Sequence, residues 1–416
     1  QFFPSWILSG NWSLVNQLNH ENLLRVYKLL YFALLFLVPL LLFFICKKEK
    51  GRAFLHGFLM CAVVVITVNR ALSYYRTYTS FTPKQVMDTG SISRLDAVEN
   101  PDIYYFILDG YTGNMALKKY WNFDNSDFTG SLRALNFKVA DSARGNIAAT
   151  IGALSFVFNL SVFNNPQLYE YNMDLVTIKY IRNNTLFEVL RKNGYSIEGN
   201  SLFFDKKPYF FSQGEMHPNA TWFSNFITRH LLFRVIFKGV NILLKDTYTD
   251  NSWFYGYDKR TDVLIKKQIR EAGARSPGFY FNHLMITHPP YFYTHDGKPL
   301  GTDEQTKSTH HYLDQVKYTN SLCLGYFTAL VNKYRELDKP LVIIAQSDHG
   351  SKELKLVEED SQIQLMIYDS RNRVEITPQE DGINLMRKVL NKHLGYMLPE
   401  QPYEYYNLFQ QSGRRE

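Results

Sequence analysis

An apolar strand that ends in Asp-His-Gly is the feature of this sequence that most constrains its fold. The run Leu341-Val-Ile-Ile-Ala-Gln-Ser-Asp-His-Gly350 is typical of a central strand of an α/β sheet, because strands covered on both faces are almost continuously apolar. Ligands of such sheets bind beyond the carboxyl ends of the strands, where Asp348 and His349 lie. A carboxylate beside an imidazole suits a divalent ion such as Zn or Mn. The alternative is a plain turn, since Asp and Gly are ordinary turn residues.

Two further strands end in side chains of the same chemistry. The run Pro101-Asp-Ile-Tyr-Tyr-Phe-Ile-Leu-Asp-Gly-Tyr-Thr-Gly113 is again apolar and delivers Asp109 at its end. The run Phe279-Tyr-Phe-Asn-His-Leu-Met-Ile-Thr-His-Pro-Pro-Tyr291 leads to His288, and the two prolines after it stop the strand and stiffen the loop. Three strand ends that carry Asp, His and Asp-His favour a metal site over three unrelated turns.

These motifs, in this order, resemble the alkaline phosphatase/sulfatase superfamily. The likeness is strongest to its membrane-anchored bacterial branch, the sulfatase-like hydrolase/transferase proteins related to lipoteichoic acid synthases and phosphoethanolamine transferases. Members of that branch read Pro-Asp-Ile-Tyr-Tyr-Ile-Ile-Leu-Asp-Gly-Tyr at the first strand, then Pro-His-x-Pro-Tyr and Ser-Asp-His-Gly. The resemblance spans about residues 99 to 410. It implies an α/β domain with an alkaline-phosphatase-like, mostly parallel central sheet flanked by helices and preceded by transmembrane helices.

The resemblance also implies roles for particular side chains. One divalent metal ion, Mn or Zn, would be held by four residues: Asp109, Thr150, Asp348 and His349. Thr150 would be the nucleophile. His288 would steady a substrate oxygen or protonate the leaving group, and Asn146 would contact the substrate with it.

The nucleophile segment departs from the pattern of the branch, which is Ser-Asn-Tyr-x-x-Thr-x-x-Ser-Leu. Thr150 is retained in Gly145-Asn-Ile-Ala-Ala-Thr-Ile-Gly-Ala-Leu154, but three other positions differ: Gly145, Ile147 and Ala153. A hydroxyl at the start of a helix would gain from the metal and from the helix dipole. The alternative is that Thr150 only caps a helix over Ile151–Phe158.

The cysteines argue against one branch of the family and predict no disulfide framework. Sulfatases that use formylglycine need Cys-x-Pro-x-Arg, and none of Cys46, Cys61 and Cys323 lies in that context. All three lie in apolar or helical segments, where we interpret them as packing residues.

Two apolar runs near the start of the chain predict a membrane anchor. Leu29–Cys46 is long enough to span a bilayer, and Ala53–Val68 becomes so if it extends towards Leu72. The basic turn 47–52 between them is expected in the cytoplasm, so the rest of the chain would lie outside. Two buried core helices are the alternative. The chain begins with Gln rather than Met, and we expect an upstream membrane segment.

We therefore expect an anchor over residues 1–72, a linker over 73–100 and an extracytoplasmic domain over 101–416. The resemblance places the anchor in a bacterial inner membrane and the domain in the periplasm or outside the cell.

Charge and aromatic content say less about function. The net charge is +7, and the turn 47–52 supplies +3 of it, so the remainder does not indicate nucleic-acid binding. Aromatic residues make up 16% of the chain, and many fall between about residues 200 and 260. They could line a glycan or lipid groove or pack that insert on the sheet, and packing is the favoured interpretation.

The remaining pattern predicts a few further elements. We expect a loop between Leu108 and the Thr150 helix, a helix over Asn184–Asn193, a strand over Tyr195–Glu198, a helix pair over Lys307–Leu337 and a strand over Ile363–Tyr368. His310 and His311, at the start of the helical stretch, are interpreted as surface or cleft residues rather than metal ligands.

The expected function is that of a metal-dependent phosphotransferase or hydrolase acting on a cell-envelope glycan or lipid, with a phospholipid as a candidate donor. The first alternative is a non-catalytic relative that binds lipid or a protein partner. A phosphodiesterase or sulfatase that uses water is the second. The motifs leave the acceptor open.

Overall fold

The structure is a computed structural model that describes residues 99–162, 180–200, 252–274, 277–300, 309–354 and 356–406, with isolated positions before residue 96. The chain forms two compact units, Gln1–Thr77 and Tyr78–Glu416. The predicted membrane helix Leu29–Cys46 lies outside the described residues, as do most of Ala53–Val68, the linker and the aromatic insert. Over the described part of the chain, no helix is both long and apolar enough to cross a membrane.

A six-stranded sheet is the centre of the second unit. Its strands are β1 (Asp102–Leu108), β2 (Lys138–Ala140), β3 (Ser196–Asn200), β4 (Gly278–Leu284), β5 (Leu341–Ser347) and β6 (Leu365–Asp369). They lie in the order β2-β6-β5-β1-β4-β3. Strands β3, β4, β1 and β5 are parallel, and β6 is antiparallel to both of its neighbours. The predicted α/β fold with a mostly parallel central sheet is confirmed.

Strand β1 shows why the central strands are apolar throughout. Its side chains alternate between two cores, with Ile103, Tyr105 and Ile107 in one and Tyr104, Phe106 and Leu108 in the other. Every residue of β1, β4 and β5 is buried. Because helices cover both faces of the sheet, no position on these strands faces water, and the sequence pattern is continuous rather than alternating.

Helices form a layer on each face. Among the described residues they are α1 (Asn114–Trp121), α2 (Ser126–Ala134), α3 (Thr150–Phe158), α4 (Thr185–Lys192), α5 (Ser252–Arg270), α6 (Thr309–Leu337), α7 (Val357–Ser361) and α8 (Gly382–Leu394). Helices α3, α4 and α8 contribute to the core that contains Tyr105. Helices α2, α5 and α6 contribute to the core that contains Phe106.

The predicted helix over Asn184–Asn193 is confirmed together with its start signal. Asn184 precedes α4, and its side chain accepts a hydrogen bond from the backbone N–H of Phe187 at 2.7 Å. Gly194 follows the helix with φ +79°, in the left-handed region. The predicted strands at Tyr195–Glu198 and Ile363–Tyr368 are likewise present, as β3 and β6.

Two element predictions were wrong. The segment between Leu108 and Thr150 is not a loop, because it contains α1, α2 and β2. These pieces are only eight, nine and three residues long, so they depend on tertiary packing and carry little periodic signal. The predicted helix pair is one helix, α6, of 29 residues. It continues through Gly325, which costs about 1 kcal/mol relative to Ala, because the buried side chains around it stabilise the helix by more.

A buried carboxylate joins three elements at the start of the sheet. Asp102 is fully buried at the first position of β1. Its Oδ1 accepts a hydrogen bond from the backbone N–H of Gly278 at 2.6 Å, at the start of β4. Its Oδ2 accepts one from the Tyr334 hydroxyl at 2.5 Å, near the end of α6. Asp102 therefore sets where β4 begins and where α6 ends relative to β1.

We expect Tyr334→Phe to lower the free energy of unfolding by about 1–3 kcal/mol, because a buried carboxylate loses a donor that water cannot replace. Tyr326→Phe is the matched control on the same helix. Its hydroxyl donates to Asp262 Oδ1 at 2.7 Å, but the Asp262 side chain is 31% exposed, so water can replace the lost donor. Denaturant unfolding measures both variants, and equal losses would contradict the role given to Asp102.

Candidate active site

The carboxyl ends of β1 and β5 bring two predicted metal ligands together. In the parallel pairing of these strands, Leu108 lies opposite Ser347, so the next residues are Asp109 and Asp348. The backbone N–H of Gly110 donates to Asp348 Oδ1 at 3.0 Å, which joins the two strand ends directly. Gly110 has φ +67°, a conformation that disfavours a side chain and that this close turn requires.

Four of the predicted site residues converge at this edge. The ligand atoms of Asp109, Asp348 and His349 all lie within 4.8 Å of one another, and the three residues are at most 3% exposed. Thr150 Oγ1 lies 3.4 Å from Asp109 Oδ2 and 3.3 Å from His349 Nε2. The arrangement therefore joins two carboxylates, one imidazole and one hydroxyl.

Hydrogen bonding decides which nitrogen of His349 faces the cluster. Its Nδ1 lies 2.7 Å from the carbonyl oxygen of Gly350. A carbonyl only accepts, so Nδ1 carries a proton, and in the neutral imidazole Nε2 is the nitrogen that offers a lone pair. Nε2 is the atom nearest Thr150 and Asp348 Oδ2, the latter at 3.3 Å. An imidazole oriented by a backbone carbonyl in this way is the usual form of a histidine metal ligand.

The carboxylates leave two oxygens without donors. Asp348 Oδ1 accepts hydrogen bonds from the backbone N–H groups of Gly110 and His349. Within the described part of the chain, Asp348 Oδ2 and Asp109 Oδ1 are buried and accept none. Buried carboxylate oxygens are normally hydrogen-bonded or bound to a cation, so a divalent metal ion fits this cluster.

Asp109 is held in its anionic form. Burial by itself raises the pKa of this carboxyl, but the hydrogen bond from His283 and the neighbouring His288, His283 and His349 lower it by more. The net result is a pKa below the ordinary value for aspartate. A carboxylate that stays ionised while buried has the charge that a cation requires.

Thr150 is not a helix cap. It is the first residue of α3, the cap position is Ala149, and no side chain caps this end. The Thr150 hydroxyl instead points to Asp109 and His349. The alternative that Thr150 only caps the helix is therefore wrong, and its hydroxyl lies at the positive end of the α3 dipole.

Packing explains two of the three unusual residues around Thr150, namely Gly145 and Ile147. A Cβ on Gly145 would lie 3.0 Å from Ile363 Cγ2, so a serine there would crowd the Ile363 side chain. A Cβ on Gly152 would lie 2.7 Å from Ile147 Cδ1, so Ile147 fills the space above that glycine. The departures at Gly145 and Ile147 concern local packing, and the Thr150 hydroxyl still faces the cluster.

Asn146 lies in the loop before Thr150, and its side-chain amide is used within the fold. Its side-chain Nδ2 donates to the backbone carbonyl oxygen of Glu404 at 3.1 Å, and the backbone carbonyl of Asn146 accepts from the backbone N–H of Tyr406 at 2.7 Å. The Tyr403 hydroxyl donates to the carbonyl oxygen of Gly145 at 3.0 Å. The C-terminal residues 403–406 therefore hold the loop that precedes Thr150. The predicted contact of Asn146 with substrate stays a prediction.

His288 lies four residues beyond the end of β4 and outside the three-residue cluster. Its backbone N–H donates to the carbonyl oxygen of Met285 at 2.9 Å, which forms a turn before the two prolines. Its imidazole is close enough to help lower the pKa of Asp109. This position suits a residue that contacts a group bound at the cluster rather than the ion itself.

Sequence reasoning missed His283, which contacts the cluster from β4. His283 Nε2 lies 3.0 Å from Asp109 Oδ2, and both residues are at most 1% exposed. The signal that could have found it is the pair Asn282-His283 in an otherwise apolar strand. Buried polar side chains in a central strand need partners, so they indicate a site nearby.

Comparison with protein families assigns the chain. Residues 158–383, more than half of its length, match the family model described as Sulfatase. The chain belongs to the sulfatase family. The matched span contains His283, His288, Asp348 and His349, whereas Asp109 and Thr150 precede it. The resemblance to the alkaline phosphatase/sulfatase superfamily is thereby confirmed. No curated protein matches the sequence.

Distant similarity to solved structures accompanies this assignment. The C-terminal periplasmic domain of EcEptC from Escherichia coli is 14% identical, with 74% of this chain and 85% of that chain covered and a TM-score of 0.45. The lipooligosaccharide phosphoethanolamine transferase A of Neisseria meningitidis is 13% identical, with 91% of this chain and 70% of that chain covered and a TM-score of 0.43. The lipoteichoic acid synthase LtaP of Listeria monocytogenes is 14% identical, with 76% of this chain and 78% of that chain covered and a TM-score of 0.44.

We expect Asp348→Asn to raise the melting temperature measured in a chelator by a few degrees. Two buried carboxylates repel each other when no cation is present, and the substitution removes one charge. The amide oxygen can keep the hydrogen bonds from Gly110 and His349, and the new NH2 can face His349 Nε2.

Asp369→Asn is the matched control and should lower the melting temperature. Both of its oxygens already accept backbone N–H groups, Oδ1 from Arg371 and Oδ2 from Arg373 and Val374, so an amide NH2 would oppose a donor. A lower melting temperature for Asp348→Asn in chelator would contradict the description of Asp348 Oδ2 as a buried oxygen without a hydrogen-bond donor among the described residues.

Proposed function

We propose that this sulfatase-family domain is a metal-dependent phosphotransferase or hydrolase with Thr150 as its nucleophile. The observation that carries the proposal is the Thr150 hydroxyl directed at the buried cluster of Asp109, Asp348 and His349. This hydroxyl lies at the N-terminus of α3, within hydrogen-bond distance of a buried carboxylate and a buried imidazole. It has the placement of a nucleophile.

The donor set favours Zn or Mn. Asp109 Oδ1, Asp348 Oδ2, His349 Nε2 and Thr150 Oγ1 would hold the ion, a mixed oxygen and nitrogen set suited to a borderline cation. When bound, the ion lowers the pKa of a coordinated hydroxyl and neutralises charge on a phosphoryl or sulfuryl group.

Thr150 and His288 have different roles in the proposed reaction. The Thr150 hydroxyl gives up its proton to solvent, Oγ1 forms the bond to phosphorus, and the bond to the leaving oxygen breaks. His288, on the loop after β4, protonates that leaving oxygen or steadies a non-bridging one. A second alcohol or water then accepts the group from Thr150. An alcohol as acceptor makes the enzyme a transferase, and water makes it a hydrolase. Burial of Asp109 and Asp348 keeps water from competing for their oxygens.

A cell-envelope glycan or lipid is the proposed substrate class, and it rests on the family resemblance of the sequence. We also propose that residues 1–72 anchor the chain in a bacterial inner membrane and that residues 101–416 lie in the periplasm or outside the cell. The apolar runs and the basic turn between them support this placement.

Metal analysis and mass spectrometry test the chemistry. After exhaustive dialysis we expect about one Zn or Mn per chain in the wild type, because four ligands converge on one point, and none in Asp348→Ala. Asp141→Ala, which removes a surface carboxylate paired with Arg133, should keep the metal. With a phospholipid donor, Thr150 should gain the mass of a phosphoryl-linked group, and Thr150→Val should not.

The absence of bound metal, both as purified and after reconstitution with Zn or Mn, would overturn the enzyme proposal in favour of a non-catalytic domain that binds lipid or a protein partner. If the protein binds metal but Thr150 is not modified with any donor tested, the assignment of Thr150 as the nucleophile is overturned and the metal site is not. Adding candidate alcohols, with a sample in water alone for comparison, then shows whether the group is transferred to an alcohol or released by hydrolysis.

Protease accessibility tests the location. Protease added to the outside of intact spheroplasts should cleave between residues 73 and 100 and release the domain, because the linker would lie on the outer side. A cytoplasmic marker protein should stay intact in the same sample. Cleavage only after lysis would place the domain in the cytoplasm and contradict the proposed topology.

A further inference from the structure

His283 supports the candidate metal site from a strand that carries none of its ligands. It lies on β4 opposite Ile107 of β1, two positions before Asp109. Its Nε2 is 3.0 Å from Asp109 Oδ2, and its side chain is fully buried. The Tyr257 hydroxyl, from α5, donates to its backbone carbonyl at 2.9 Å, so this part of β4 is held from the helix side as well.

His283 is not itself one of the clustered ligands. The atoms that lie within 4.8 Å of one another belong to Asp109, Asp348 and His349, and His283 is outside that group. Its contact with the site passes through one oxygen of one carboxylate. The imidazole therefore acts on Asp109.

The two oxygens of Asp109 have different surroundings. Oδ2 is contacted by His283 at 3.0 Å and by Thr150 at 3.4 Å. Among the described residues, Oδ1 has no hydrogen-bond donor. A hydrogen bond to one oxygen restrains rotation of the carboxylate about its terminal bond and so orients the other oxygen.

We propose that His283 is a positioning residue that holds Asp109 with Oδ1 presented to the metal ion and Oδ2 turned to Thr150. This inference rests on the proposed function, because it assigns a purpose to the geometry of that same site. An imidazole that donates to a ligating carboxylate sets the direction of that ligand. Loss of such a partner typically weakens metal binding about 10–100-fold.

Zinc titration of the full chain by calorimetry tests the inference without using activity. His283→Asn keeps an amide but is too short to reach Asp109 Oδ2, so we expect zinc to bind about 10–100-fold more weakly. His283→Gln places its amide nitrogen about where Nε2 lies and should recover most of the wild-type affinity. Recovery by glutamine but not by asparagine is a pattern that general loss of packing does not produce.

His393 offers a matched control elsewhere in the same domain. Its side chain is also fully buried, and its Nε2 lies 3.2 Å from Asp369 Oδ2. His393→Asn therefore breaks the same kind of buried pair at a carboxylate that is not in the cluster. It should lower the melting temperature in chelator while leaving zinc affinity unchanged.

The outcomes separate this inference from the proposed function. A wild type that takes up no zinc overturns the proposed function itself. A wild type that binds zinc, with His283→Asn binding as tightly, overturns the positioning role and leaves the site standing. Equal weakening in the His283→Asn and His393→Asn variants also overturns it, as a general effect of destabilisation. Should His283→Asn fail to fold, His283→Leu replaces it with the same expectations.

Discussion

The parallel pairing of β1 with β5 is the constraint on which the site depends. Because Leu108 lies opposite Ser347, Asp109 and Asp348 leave the sheet at the same level and at neighbouring positions. Pairing of β1 with β4 adds His283 from the other side. A shift of one residue in either register would turn these side chains to the opposite face of the sheet. The position of every charged atom in the cluster thus follows from hydrogen bonds within the central strands.

The fold then has to keep two carboxylates in a buried place. Asp348 receives two backbone N–H groups, and Asp109 receives His283 and the Thr150 hydroxyl. These donors stabilise the charges only in part, since one oxygen of each carboxylate has no donor within the described chain. A buried site that is incompletely satisfied in this way lowers the stability of the free protein.

The packing of α3 and the contacts of residues 403–406 place Thr150 at this cluster. Helix α3 lies on the face of the sheet that contains Tyr105, and its first residue reaches the carboxyl ends of the strands. The C-terminal residues 403–406 hold the preceding loop through Gly145 and Asn146. The nucleophile candidate therefore depends on contacts between segments that are more than 250 residues apart in the chain.

The sequence by itself determined the α/β class, the central strands and the meeting of Asp109, Asp348 and His349 at one edge. These follow from continuous apolar runs and from the rule that parallel strands end together. Only the tertiary structure decided that α1, α2 and β2 form, since short elements are stable only when packed against the sheet. It also decided that His283 contacts Asp109 and that Thr150 faces the cluster instead of capping its helix. Those contacts join side chains from separate strands and helices, and no local pattern specifies a distance between residues that are remote in the chain.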